Sequence, residues 1–173
     1  MIKTNSKEKL NNAKEEDLKE NYNLTFYVAP FKSLVKNDSS VVKTSYRALQ
    51  KLIKLVENSV KAKASEGAEA TLKDGRIILA ESDLTPESIV IRKTVMPQSQ
   101  IKRLVHPVLE EKRVKPSKKA MLVLGLFAEI EFINLLRGAN IFCEHAKRKM
   151  LLYSDVKLTE KFFVEKQTDI SKY

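Results

Sequence analysis

Tryptophan is absent from this 173-residue chain, cysteine occurs once, and glycine (four) and proline (five) are scarce. A lone cysteine, Cys143, excludes an internal disulfide framework and suits a reducing compartment. So few glycines and prolines leave little sequence for tight turns and favour long helices. No apolar run approaches the roughly 18 residues of a membrane-spanning helix. The richest stretch, Ala120 to Phe132, is interrupted by Glu129 and Glu131. The first residues, Met1 to Lys9, carry no apolar core of the kind a secretory signal needs. The expectation is a soluble, intracellular protein with no membrane partner. Catalytic equipment is missing too. There are two histidines, no glycine-rich phosphate loop, no Ser/His/Asp spacing and no metal-ligand cluster. Cys143 and His145, two apart on a helix, point to different faces and make no metal site. Neither an enzyme nor a cofactor is expected.

What the chain has is positive charge. Lys and Arg number 32 against 22 Asp and Glu, a net +10 with a pI near 9.6. That excess fits a polyanionic partner, either nucleic acid or an anionic surface. Residues 1–21 are polar and aperiodic and read as a disordered tail. Their five Lys are matched by five acids, so the tail is neutral and the whole charge sits beyond it. Hydrophobic residues make up 43% of the chain, enough for a packed core.

Apolar residues at 27, 28, 31, 34 and 35 predict a short helix. A longer one is predicted from about Val42 to Ala68, carried by Leu49, Leu52, Ile53, Val56 and Val60. Lys73, Asp74 and Gly75 form a turn, residues 76–80 a short extended stretch, and Ser82 with Asp83 the start of another helix. The order then recurs. A short helix is predicted from Pro97 to about His106, and a charged connection with room for one helical turn from Pro107 to Pro116. A long helix capped by Ser117 follows, running to about Lys147. Its inward face is read as Met121, Leu124, Phe127, Ala128, Ile130, Phe132, Leu135 and Leu136. A second extended stretch around Met150 and a last helix from Ser154 and Asp155 to about Phe163 complete the pattern. Residues 165–173 read as a frayed tail.

This is an internal repeat. Shifting the sequence by 72 places Arg76 on Arg148, Leu79 on Leu151, Ser82 on Ser154 and Asp83 on Asp155. The same shift places Ser45 on Ser117, Ala48 on Ala120 and Leu52 on Leu124. Each half thus has an Arg followed seven residues later by an Asp, across a strand-to-helix junction, where the two can ion-pair and pin the loop. The halves divide at residues 22–92 and 93–164. The connection from Val90 to Met96 spans up to roughly 23 Å at about 3.3 Å per residue.

These residues resemble the core histone family. Glu144-His145-Ala146-Lys147-Arg148-Lys149, followed by Ser154, Asp155 and Val156, is similar to the end of a histone's middle helix, its second loop and the start of its third helix. Ser117 to Met121, after Val105, His106 and Pro107, is similar to the opening of the long helix. Gly75 to Ile78 resembles the second loop of a partner histone. The resemblance covers about residues 24–163 and fits the tandem doublets of some large DNA viruses. It implies an all-α fold of two tandem histone folds clasped as an intramolecular handshake pair. It further implies sequence-independent binding and compaction of double-stranded DNA in nucleosome-like particles. Other doublets would be partners, and a virion, viral factory or host nucleus the location.

In such a pair the first loop of one half lies beside the second loop of the other, and basic side chains there meet phosphates. The candidate DNA contacts are Lys43, Arg47, Lys73, Arg76, Lys102, Arg103, Arg113, Lys115, Lys118, Lys119, Lys147, Arg148 and Lys149. Arg76 with Asp83, and Arg148 with Asp155, are the loop-pinning pairs. By the resemblance, His145 with Asp155 would join neighbouring doublets; the alternative is a capped, solvent-exposed His145 at a helix end. An acidic docking patch is poorly matched, since Lys54, Glu57 and Lys61 alternate in sign. The alternative is a histone-fold interaction subunit of a transcription or chromatin complex, which the neutral tail and the more diverged first half favour. The basic loops favour DNA.

Overall fold

The computed structural model describes residues 22–38, 40–85 and 93–164. The two tails, residues 86–89 of the helix predicted after Ser82 and Asp83, and residues 90–92 of the connection lie outside the described residues. Helix α1 (Val28–Asn37) is followed by strand β1 (Lys43–Thr44) and the 28-residue helix α2 (Tyr46–Lys73). Strand β2 (Ile78–Leu79) and a 3-10 turn (Glu81–Asp83) close the described part of the first unit. The second unit has α3 (Gln98–Glu111), β3 (Lys115–Pro116), the 28-residue α4 (Lys118–His145), β4 (Met150–Leu151) and α5 (Tyr153–Thr159). A π-helical turn, Glu160–Val164, extends α5.

The long helices begin alike. Ser45 and Ser117 are N-caps whose hydroxyls accept from the backbone N–H of Ala48 (3.3 Å) and Ala120 (3.1 Å). Helix α2 therefore starts at Tyr46 and not at Val42, where the apolar pattern places it. The intervening residues pair as strand with the distant β4. Helix α3 departs from the sequence expectation in the other direction. It runs through Pro107 to Glu111, although proline inside a helix costs about 3 kcal/mol. The turn beyond Pro107 places Leu109 in the core beside Leu104 and Val105, and this burial offsets the missing backbone bond.

The long helices α2 and α4 make the most extensive helix–helix contact, and one apolar cluster runs through both units. Phe31 of α1 sits between Phe26 (ring centroids 5.7 Å) and Phe132 of α4 (4.8 Å), so the first unit's short helix is packed on the second unit's long one. Helix α2 buries Leu49, Leu52, Ile53, Val56, Val60, Ala64 and Ala68, the three-and-four spacing of one face. At Gly67 a Cβ would stand 2.7 Å from Leu84 Cδ2, so only glycine fits this close approach without a shift. Helix α4 is buried on most of its circumference, but Ile130, expected to face inward, is exposed.

The strands tie the units crosswise. β1 of the first unit pairs in parallel with β4 of the second, Lys43 opposite Met150. β2 of the first pairs in parallel with β3 of the second, Ile78 opposite Lys115. First loop beside second loop is the arrangement the family resemblance implies.

Candidate nucleic-acid interface

Both long helices end in the same backbone device. Gly75 (φ 69°) and Lys147 (φ 52°) take the left-handed conformation just past the last helical turn. The N–H groups of Gly75 and Arg76 donate to the carbonyls of Leu72 (2.9 Å) and Thr71 (3.0 Å). Those of Lys147 and Arg148 donate to Glu144 (2.8 Å) and Cys143 (3.1 Å). This reversal turns each second loop outward at one end of the pair.

The structure then brings each loop arginine onto its aspartate. Arg76 Nη1 donates to Asp83 Oδ2 at 3.0 Å, and Nη2 reaches Asp83 Oδ1 and, at 2.9 Å, Asp74 Oδ2. Asp83 also accepts from the N–H of Ala80 (2.8 Å) and the hydroxyl of Thr71 (2.9 Å). Arg76, with the Ala80 N–H and the Thr71 hydroxyl, holds the Asp83 carboxyl below its ordinary range. Asp83 and then Asp74 raise the already high pKa of Arg76. In the second unit Arg148 Nη2 pairs with Asp155 Oδ1, and Asp155 Oδ2 accepts from Leu152 N–H at 2.8 Å. The Asp155 side chain is fully buried.

The strand pairs assemble the remaining basic candidates into two groups. At the β1–β4 end stand exposed Lys43, Lys147 and Lys149 and half-buried Arg47 and Arg148. At the β2–β3 end stand exposed Lys73, Arg113, Lys115, Lys118 and Lys119, with half-buried Arg76. Arg113 is left-handed (φ 57°), which directs the loop after α3 outward. Several cations of this end are engaged within the chain. Lys119 lies 3.3 Å from Glu81, and Lys112 lies 2.8 Å from Glu69. Lys112 holds the Glu69 carboxyl below its ordinary value, while Glu81 is lowered by its own backbone N–H and then by Lys119.

Lys102 and Arg103 sit on α3, outside the two loop groups. Lys102 is exposed. Arg103 donates to the Thr25 carbonyl at 2.6 Å and lies over the Tyr27 ring at 5.4 Å, so it joins the units to each other. His145 is exposed at the end of α4, and the Asp155 side chain is buried on Arg148.

Glu57 and Glu129 are positioning residues that the sequence pattern does not single out. Both are buried in the core. Glu57 Oε1 accepts from the N–H groups of Thr25 and Phe26 (2.7 Å for the latter), just before α1. Glu129 Oε1 accepts from the Thr94 hydroxyl and the Val95 N–H, just before α3. Each carboxylate fixes how its unit's first helix enters. They differ by 72 positions, so the repeat offset itself was the signal. Glu57 is therefore no surface acid, and its Oε2 lies 3.5 Å from Lys54 Nζ. Asn140 also escapes the sequence pattern. It accepts from Val42 N–H (3.2 Å) and donates to the Ser40 carbonyl (3.1 Å), tying the first loop to α4.

Among the described residues no group of three or more His, Cys, Asp or Glu could hold a metal ion, and no helix is long and apolar enough to cross a membrane.

The architecture has a counterpart among solved structures. A histone from Methanopyrus kandleri is similar, with a TM-score of 0.62 and 15% sequence identity over 78% of this chain and 92% of that one. An alignment of that extent is longer than either unit and runs through both. No family model matches the chain, and no curated protein matches its sequence. The likeness shows a histone fold.

Proposed function

We propose that the chain is a histone doublet that binds double-stranded DNA without sequence preference and compacts it, in particles built with further copies. The observation that supports this most is the pair of crosswise strand ladders. They place a basic loop from each unit side by side at both ends of one apolar core. A pair made within one chain has a high effective concentration, so no other partner competes for its units. Paired loops of this kind offer lysines, arginines and backbone N–H groups to phosphates, contacts that position a duplex without reading its sequence. The role is structural and not catalytic.

The test is titration on random-sequence duplex at several salt concentrations, followed by nuclease digestion. Four of the thirteen basic candidates, Arg76, Arg103, Lys119 and Arg148, are engaged by partners within the chain. The other nine are Lys43, Arg47, Lys73, Lys102, Arg113, Lys115, Lys118, Lys147 and Lys149. At about 0.9 per phosphate contact, the log–log salt slope is bounded near 8 for one pair. Sequence-independent binding with a steep slope and protected fragments supports the reading. Absence of binding at low salt refutes it and leaves the interaction-subunit alternative, for which the engagement of Arg103, Lys112 and Lys119 within the chain is the supporting observation.

A further inference from the structure

The repeat allows each loop position to be compared with its own counterpart 72 residues away, and the two units are unequal. Residues 22–92 carry 11 Lys and Arg against 8 acids, and residues 93–164 carry 14 against 7. The second unit thus holds +7 of the charge and the first +3. The difference is concentrated at the loops. Lys118, Lys147 and Lys149 of the second unit are exposed, and the first unit has Tyr46, Gly75 and Ile77 at the equivalent places. Conversely, Asp74, which binds Arg76 at 2.9 Å, stands where the second unit has Ala146. Among the described residues Arg76 is held by two carboxylates and Arg148 by Asp155 alone. The side chains of Ile77 and Ile78 are 64% and 56% exposed beside this first-unit loop, where the second unit presents Lys149 and Met150.

Because the ladders cross, the second unit contributes to both ends. Lys147 and Lys149 stand at the β1–β4 end, and Arg113, Lys115 and Lys118 at the β2–β3 end. Resting on the DNA-binding reading above, we infer that the second unit supplies most of the phosphate contacts at both ends. The first unit acts mainly as the scaffold that holds those loops apart. The grip on DNA is lopsided toward one unit, whereas a symmetric pair would share it. The first unit's second loop, with Asp74 and two exposed isoleucines, is the weak quarter of the surface.

The inference is tested by neutralising the available loop cations of each unit in the full chain. Arg113→Gln/Lys115→Gln/Lys118→Gln/Lys147→Gln/Lys149→Gln removes five from the second unit, and Lys43→Gln/Arg47→Gln/Lys73→Gln removes three from the first. Circular dichroism melts establish that both fold. At about 0.9 for each phosphate no longer neutralised, the second-unit variant is expected to lower the salt slope by about 4.5 and the first-unit variant by at most about 2.7. A gain-of-function arm grafts the missing charge. Tyr46→Lys/Gly75→Lys/Ile77→Lys raises the slope, and the Gly75→Lys change is tolerable because Lys147 already holds a lysine in the same backbone conformation. A reduction from the first-unit variant equal to or larger than that from the second-unit variant, with wild-type binding intact, overturns the inference and leaves DNA binding standing. No wild-type binding removes both.

Discussion

The Arg–Asp pairs occupy equivalent places in the repeat, yet they are expected to contribute unequally to stability. Replacing Asp155 by Asn keeps the shape of the side chain and an oxygen for the Leu152 N–H, and removes the charge that faces Arg148. A charge-assisted hydrogen bond contributes about 1.5–3 kcal/mol. Asp155 is fully buried, but Arg148 is 31% exposed and water relieves part of its unpaired charge. The expected loss is therefore about 2 kcal/mol for Asp155→Asn. Asp155→Ala also abandons the Leu152 N–H and should lose about 1 kcal/mol more. In the first unit, Asp83→Asn leaves Arg76 with Asp74 still at 2.9 Å and its guanidinium more exposed, at 39%. The expected loss there is about 1 kcal/mol, near the usual range for exposed pairs. The chain has no tryptophan, so urea unfolding is followed by circular dichroism at helix wavelengths. Equal losses for Asp83→Asn and Asp155→Asn, or an Asp155→Asn loss below about 0.5 kcal/mol, would refute the reasoning. An Arg148→Ala cycle with Asp155→Asn isolates the pair from the packing.

Phe132→Ala opens a hole under Phe31 at the contact between the units and should lose about 3–5 kcal/mol, measured as a lower urea midpoint with a single transition. Lys147→Gly relieves the left-handed strain at φ 52° and is expected to gain up to about 1 kcal/mol in thermal stability, while weakening DNA binding equally on all duplex sequences. Acid should destabilise the fold. Asp83 is lowered from 3.8 by Arg76, and Asp38 by Ser40 and then Arg137. Carboxylates with depressed folded values stabilise above the unfolded value and lose that contribution as pH falls through the folded one. Melting temperature is therefore expected to drop below about pH 4, and Asp83→Asn should flatten that drop.

Much of the architecture was legible because it is written twice. The offset of 72 aligns cap serine with cap serine and loop Arg–Asp with loop Arg–Asp, and local chemistry suffices to read both. The misreadings arise where a distant segment decides. Residues 43 and 44 adjoin an apolar helical pattern, but Met150 and Leu151 draw them into a strand. Pro107 reads as a helix end until the burial of Leu109 is known. Ile130 reads as core because α4 is apolar nearly all round, and periodicity cannot choose a face when most faces are apolar. For the site, charge pattern located the basic loops but could not tell engaged cations from available ones. Arg103 on the Thr25 carbonyl and Lys119 near Glu81 are contacts between segments far apart in sequence.

The geometry also constrains how a duplex could meet the pair. Helix α2 begins beside the β1–β4 ladder and ends beside β2, so its length sets the spacing of the two basic ends. Its 28 residues, at about 1.5 Å each, give roughly 42 Å. One turn of duplex is about 34–36 Å. A duplex that touches both ends therefore covers more than one turn, and its middle needs support from something other than the loops. The first turns of α1 and α3, beyond the entry N–H groups that Glu57, Gln100 and Glu129 already bind, are the segments whose N–H groups would serve there. Their directions are set by Glu57 and Glu129 and by the Arg103 bridge to Thr25 and Tyr27, and Gln100 of α3 accepts from the Tyr27 N–H at 2.8 Å. These core contacts, which carry no charge to the surface, would govern whether both ends can engage one duplex at once. The lysines would govern only how tightly each end holds.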